Sequence, residues 1–221
     1  MEPATFFSLR LSLQVATAAT VLVLIAGVPA AYVLARRDFR GRDAADVLIT
    51  LPLVLPPTVT GYLLIVLFGR NGLIGGPLYH WAGWTVMFTW QAAVIASFVV
   101  ALPLMVKTAR AAIEAVDRNL IDASATLGHS EPWTALRVIL PLAKRGIVAG
   151  AVLAFARALG EFGATLMLAG NIPGRTDTMP LAIYSAATSG DRGRANMLVL
   201  LFAGLSALLL YTANRLGRRA V

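Results

Sequence analysis

The sequence predicts an all-α membrane protein with five transmembrane helices in a single domain, residues 1–221. Three observations carry that prediction. Hydrophobic residues make up 58% of the chain and charged ones only 14%, where soluble domains carry about a quarter charged residues. Uncharged stretches recur at the ~20-residue length that a bilayer core requires. Arginines and lysines sit at the ends of those stretches, where they act as topology signals.

The first span is predicted at about 11–35, uncharged from Leu11 to Ala35 and closed by Arg36 and Arg37. A signal-peptide core runs ~7–15 residues, so this longer run reads as a retained span. The second span is predicted at about 47–69, followed by a loop rich in Gly and Asn; the third covers about 84–106 and is closed by Lys107 and Arg110. The fourth covers about 146–168 and the fifth about 195–214, closed by Arg215, Arg218 and Arg219. Residues 171–194 are too short and polar to span; a short helix at the outer interface is the preferred reading and a re-entrant turn the second. Most basic residues fall after span one, between spans three and four, and in the tail. That bias orients the N-terminus outside and the C-terminus inside.

The +8 charge is distributed around spans and forms no continuous stripe, which argues against nucleic acid. Without cysteine there are neither disulfides nor thiolate metal sites. His80 and His129 are isolated, so no metal and no cofactor is expected. A phosphate-cradling loop needs Gly-Lys followed by Ser or Thr. The only lysines, Lys107 and Lys144, follow Val106 and Ala143, so ATP hydrolysis is not expected from this chain.

The long inside segment carries the most pattern. Ala112, Val116, Leu120 and Ala123 recur at helical spacing, and Gly128 is suited to stop that helix. Ser130 is placed to cap a second helix with Pro132 and Trp133 in its first turn, and Leu140-Pro141 predicts a break before span four. Two short helices with a bend between them result, over about 117–141.

In this loop the order Asp122-Ala123-Ser124, three residues, Gly128, nine residues, Val138, one residue, Leu140-Pro141 resembles the EAA loop of binding-protein-dependent ABC importer permeases. That motif reads Glu-Ala-Ala, Gly, Ile, Leu-Pro at the same spacing; Asp122, Ser124 and Val138 depart from it conservatively. The resemblance implies the type I ABC importer permease fold, with this loop as a coupling helix docking on a separate ATPase subunit. The segments 51–62, 72–75, 154–165 and 171–174 are similar to those of molybdate importer permeases, whose near relatives carry sulfate and tungstate. That likeness implies a homodimer in the bacterial inner membrane, two ATPase copies, a periplasmic oxyanion-binding protein, and alternating access as the mechanism.

Two clusters are candidates for the pathway or gate. Pro52, Pro56 and Pro57 interrupt span two, and Thr58, Thr60 and Gly61 follow; lining a pathway and simple kinked packing both fit them. Arg157 and Glu161 lie four apart at membrane depth, and a neutralising ion pair, structural or gating, is preferred over a cargo ligand because Glu161 would repel a dianion. An ion-gradient-driven transporter is the different-class alternative. It would call for several intramembrane charges and a repeat, neither of which is visible.

Overall fold

The computed structural model describes residues 3–219, and every regular element in them is helical. The helices are α1 (Pro3–Arg36), α2 (Arg42–Val54), α3 (Pro57–Phe68), α4 (Gly75–Ala82), α5 (Trp90–Glu114), α6 (Arg118–Thr126), α7 (Glu131–Thr134), α8 (Leu140–Leu159), α9 (Gly163–Ala169), α10 (Met179–Thr188) and α11 (Arg192–Arg219). A π-helical turn, Ala135–Ile139, joins α7 to α8.

Helix α5 is the centre, flanked by α1 and α8. Its residues Ala93, Ser97, Ala101, Met105, Ala109 and Ile113 recur every fourth position and are all buried. Small side chains in a membrane helix allow backbones to approach closely, which is where packing energy comes from when lipid removes the hydrophobic drive. On α8 the matching row is Gly146, Gly150, Ala154 and Ala158. A Cβ on Gly150 would stand 2.8 Å from Met105 Sδ, and one on Gly146 would overlap the Ala112 methyl. From the other side, a Cβ on Gly27 of α1 would lie 3.0 Å from Met105 Cγ. Met105 thus fills the space that two glycines vacate, and three helices meet around it.

Helix α9 joins this core, and α3 packs on α9. A smaller cluster holds α10 to α11 through Met179, Ala182, Ala186, Ala195 and Leu198. Ser12 of α1 fastens the start of α10, its hydroxyl accepting from the Met179 N–H at 2.7 Å. Nearby, Asp177 accepts from Ser8 Oγ at 3.1 Å. Burial pushes its carboxyl above the usual carboxylate range, opposed by the Ser8 hydrogen bond and the Arg194 charge.

Among the described residues, four helices are long and apolar enough to cross a membrane, or five if the bent pair α2–α3 is one span. The differences from the predicted boundaries have physical causes. Span one begins earlier, at Pro3. Span two is two helices bent by 120°. Pro56 and Pro57 lack donors, and Leu55 before them takes extended φ −69° and ψ 139°. Span three starts only at Trp90, where the Thr89 hydroxyl accepts from the Ala92 N–H at 3.3 Å, and continues to Glu114. It stops there because Asp117 caps a new helix, accepting from the Asn119 N–H at 2.9 Å, so Ala112 and Leu120 belong to different helices.

The predicted break at Leu140-Pro141 does not occur. Helix runs through it from Glu131 to Leu159. Pro141 cannot donate and its ring crowds the preceding turn; the π turn ahead of it widens the backbone, with Leu140 N–H bonded to Ala135 O, and absorbs the misfit. Span four breaks instead at Gly160–Phe162 and resumes as α9. Residues 171–194 contain the short helix α10, and α11 already begins within them at Arg192.

The α5–α8 contact yields a direct prediction. Gly146→Leu should lower the thermal midpoint of the detergent-solubilised protein sharply or prevent its accumulation in the membrane. Gly204→Ala, where an added Cβ meets nothing within 4 Å, should leave the midpoint unchanged or raise it. Equal behaviour of the two variants in a thermal scan would show that close approach is not what holds α8.

Candidate functional site

At one end of the bundle the chain leaves α5 and folds back through α6 and α7 into α8. Helix α6 is stopped by Gly128, whose φ of +80° is open to glycine at little cost. The Gly128 N–H bonds Ala125 O at 2.9 Å and the His129 N–H bonds Ser124 O at 3.2 Å, the paired closure of a left-handed helix end. The two helices are then pinned to each other. Ser124 Oγ and Thr134 Oγ1 share a buried hydrogen bond at 2.7 Å. The His129 and Trp133 rings stack at 3.6 Å and 13°. Ser130 occupies the cap position of α7, but its side chain makes no capping bond.

Of the predicted loop residues, Ser124 faces inward, whereas Asp122, Ala123 and Gly128 are exposed. Leu120 and Leu127 are exposed beside them, at 48% and 76%. Leu140 and Pro141 lie beyond the π turn, inside the continuous helix. The outward surface of α6 is therefore short and mixed, with Leu120 and the small Ala123 and Ala125 beside the polar Arg118, Asn119 and Asp122.

Sequence reasoning missed the struts around this elbow. Glu131 at the start of α7 is reached by Tyr32 Oη of α1 at 3.4 Å and by Nη2 of Arg37, just past the end of α1, at 3.3 Å. Asp46 of α2 pairs with Lys107 at 2.7 Å and Arg110 at 3.3 Å on α5, and Glu114 with Arg110 at 2.7 Å and Arg42 at 3.7 Å. Pairs this exposed contribute at most about 1 kcal/mol each, so they set geometry more than stability. No spacing signal links position 37 to 131 or 46 to 107. Only the Ser at 124, where the loop pattern carries Ala, hinted at a polar contact.

The second candidate region lies where α8 ends. Arg157 Nη2 meets Glu161 Oε2 at 2.7 Å, with the glutamate side chain 1% exposed and the arginine 30%. The other carboxylate oxygen, Oε1, accepts from the Ala164 N–H at 2.9 Å. Glu161 therefore caps α9 while holding Arg157, and a buried charge is compensated on both oxygens.

The fold also brings together the two candidate pathway segments, which are far apart in sequence. A Cβ on Gly163 would come within 2.6 Å of Pro57 Cβ, and one on Gly61 within 2.6 Å of Met167 Cβ. The Pro-Pro bend and the Gly160–Phe162 break thus sit against each other. Pro56, Pro57 and Thr58 are exposed on that bend; Thr60 is buried and its hydroxyl has no partner. The elbow and the ion pair are separate regions, joined by the 20 residues of α8, about 30 Å of helix. Among the described residues, no group of three or more His, Cys, Asp or Glu side chains could hold a metal.

The pair makes a measurable prediction. Glu161→Ala should destabilise the protein more than Glu161→Gln, which keeps an acceptor for Ala164. In a double-mutant cycle with Arg157→Ala, the coupling between the two positions should be roughly 0.5–3 kcal/mol. A cycle that closes to zero in thermal or denaturant unfolding would remove any energetic role from the pair.

Comparison with known proteins places this architecture. Residues 9–221 match the family described as "Binding-protein-dependent transport system inner membrane component". The chain is 44% identical to the molybdenum transport system permease protein ModB of Haemophilus influenzae, covering 96% of this chain and 93% of that protein. It is also 44% identical to ModB of Escherichia coli K12, over 94% and 91% of the two chains. Among solved structures, it superposes on the MetNI methionine ABC transporter, in an inward-facing conformation, with a TM-score of 0.76 at 19% identity over 100% and 99% of the chains. A bacterial alginate importer gives 0.78 at 17% identity, over 99% and 80%. The fold is that of ABC importer permeases, and the chain belongs to the family of binding-protein-dependent transport system inner membrane components.

Proposed function

We propose that this chain is the permease subunit of an ATP-binding-cassette importer that carries molybdate across a bacterial inner membrane by alternating access. The 44% identity over nearly full length to permeases named for molybdenum transport is the observation that carries the cargo reading. The hydrolytic step belongs to a separate ATPase present in two copies, and a periplasmic oxyanion-binding protein delivers the cargo.

The bent pair α2–α3 counts as one span in this reading. That makes five, with the N-terminus outside and the C-terminus in the cytoplasm, as the arginine and lysine distribution favours. No residue of α2 is buried, and Val47, Leu48, Leu51 and Val54 are exposed along it. Five spans can hardly enclose a pathway alone, and this face is available to a second copy of the chain or to lipid.

Residues 117–141 are the ATPase-coupling elbow, with Asp122, Ala123, Ser124, Gly128, Leu140 and Pro141 as its motif positions. Exposed Ala123 and Leu127 suit a protein cleft. Pinning by Gly128, the Ser124–Thr134 hydroxyl pair and the ring stack suits a body that moves as a unit. Because α7, the π turn and α8 form one helix, displacement at the elbow would be carried along about 30 Å of rod to the Arg157–Glu161 pair. There the pair, with Pro56, Pro57, Thr58, Thr60 and Gly61 across the contact, forms the gate region. A neutral ion pair would not trap a dianion, which favours gating over cargo binding.

Proteoliposomes holding this chain with its ATPase and binding protein should take up labelled molybdate only when ATP is supplied, with tungstate and sulfate tested as competitors. Uptake without ATP would overturn the importer reading; ATP-driven uptake of another solute only would overturn the cargo. Gly128→Val should abolish uptake while leaving the spans inserted, because a β-branched residue at φ +80° strains the elbow by about 1–3 kcal/mol. Unchanged transport by that variant would count against the coupling role.

A further inference from the structure

At the end of the bundle opposite the elbow, α1, the start of α5 and the loop before α10 line an open cavity of about 340 Å³. Arg10, Gln14 and Arg175, all exposed, line it beside Phe7, Leu11 and Trp90. Phe7, Arg10, Leu11 and Gln14 follow the i, i+3, i+4, i+7 spacing of one helix face. Arg175 comes from a turn whose backbone is held in place: Thr176 is fully buried, and its hydroxyl accepts from the Ile172 N–H at 3.0 Å and donates to Gly170 O at 3.3 Å.

Among the described residues, neither arginine has a carboxylate within salt-bridge distance, in contrast to Arg37, Arg42, Arg110 and Arg157. Among the described residues, no acidic side chain lines the cavity. The nearest acid in sequence, Asp177, is engaged elsewhere, by Ser8 Oγ at 3.1 Å and by the charge of Arg194. Two forked cations, a neutral donor and an apolar seat at the end of a membrane helix are the recognition chemistry of a phosphate-type oxyanion. The aromatic and aliphatic floor adds room for the glycerol and upper acyl carbons of a lipid.

We propose that this cavity binds one tetrahedral oxyanion, clamped by Arg10 and Arg175 with Gln14 assisting. Two sources share that chemistry: the headgroup phosphate of an anionic phospholipid, and a free inorganic oxyanion. None of its lining residues belongs to the gate region proposed above, and the site does not depend on the cargo assignment.

The test has two arms, both on the full-length chain. In the first, the protein is released from phosphatidylcholine nanodiscs doped with phosphatidylglycerol, and retained lipid is counted by native mass spectrometry. In the second, inorganic phosphate is titrated in a neutral detergent and the thermal midpoint followed. The expected result is one retained phosphatidylglycerol per chain, with preference over phosphatidylcholine reduced about tenfold or more by Arg10→Gln with Arg175→Gln, since each variant removes charge-assisted hydrogen bonds to the phosphate. Arg10→Lys with Arg175→Lys, which keeps charge but loses the fork, should retain part of the preference and shows that the cavity has not collapsed. Arginine-dependent, saturable stabilisation by phosphate without lipid enrichment also sustains the site and assigns it to free oxyanions. No arginine-dependent binding in either arm overturns the proposal.

Discussion

Close approach of three backbones around Met105 is the constraint on which the rest of this molecule depends. Lipid is as apolar as leucine, so these helices gain little by hiding leucines from it; they gain by dispersion contacts at short range and by satisfying backbone groups internally. Gly27 and Gly150 allow that approach, Gly146 continues it against Ala112, and alanines every fourth residue extend it along α5 and α8. Large apolar side chains are directed outward instead, so exposed Leu, Val and Phe here are ordinary for a membrane face.

With the central helices locked, irregular backbone is confined to a few positions, each with its own chemical compensation. At Pro56-Pro57 the missing donors turn a span into a sharp bend. At Gly160–Phe162 the helix ends, and the Glu161 carboxylate satisfies the next helix start at Ala164. At Pro141 the loss of a donor is absorbed by a π turn without a break. The first two positions lie against each other through Pro57 and Gly163. Departures from regular helix at membrane depth survive only where protein or a cavity meets the freed groups, and their juxtaposition is why the gate reading is centred there.

The elbow is built differently. Its bend comes from one glycine in a left-handed conformation, and its stiffness from a buried hydroxyl pair and a ring stack. Under the proposed function, the continuous helix from Glu131 to Leu159 makes the elbow and the ion pair two ends of one rod. The exposed struts from Arg37 to Glu131 and from Asp46 to Lys107 add alignment at small energetic cost.

Membrane residence, the helical class, the approximate places of the apolar segments, and the stop at Gly128 were legible in the residues themselves. Each depends on composition or on contacts within a few positions along the chain. The Arg157–Glu161 pair was legible for the same reason, since i and i+4 face each other on any helix. What only the tertiary structure decided is which interruptions become bends and which are absorbed: proline follows leucine at Leu55-Pro56-Pro57 and at Leu140-Pro141, yet one site turns the chain by 120° and the other leaves the helix whole. It also decided that Pro57 meets Gly163, that Ser124 meets Thr134, and that Arg10 and Arg175 line one cavity. Local rules extend only one or two helical turns, and these contacts are set by how whole helices pack.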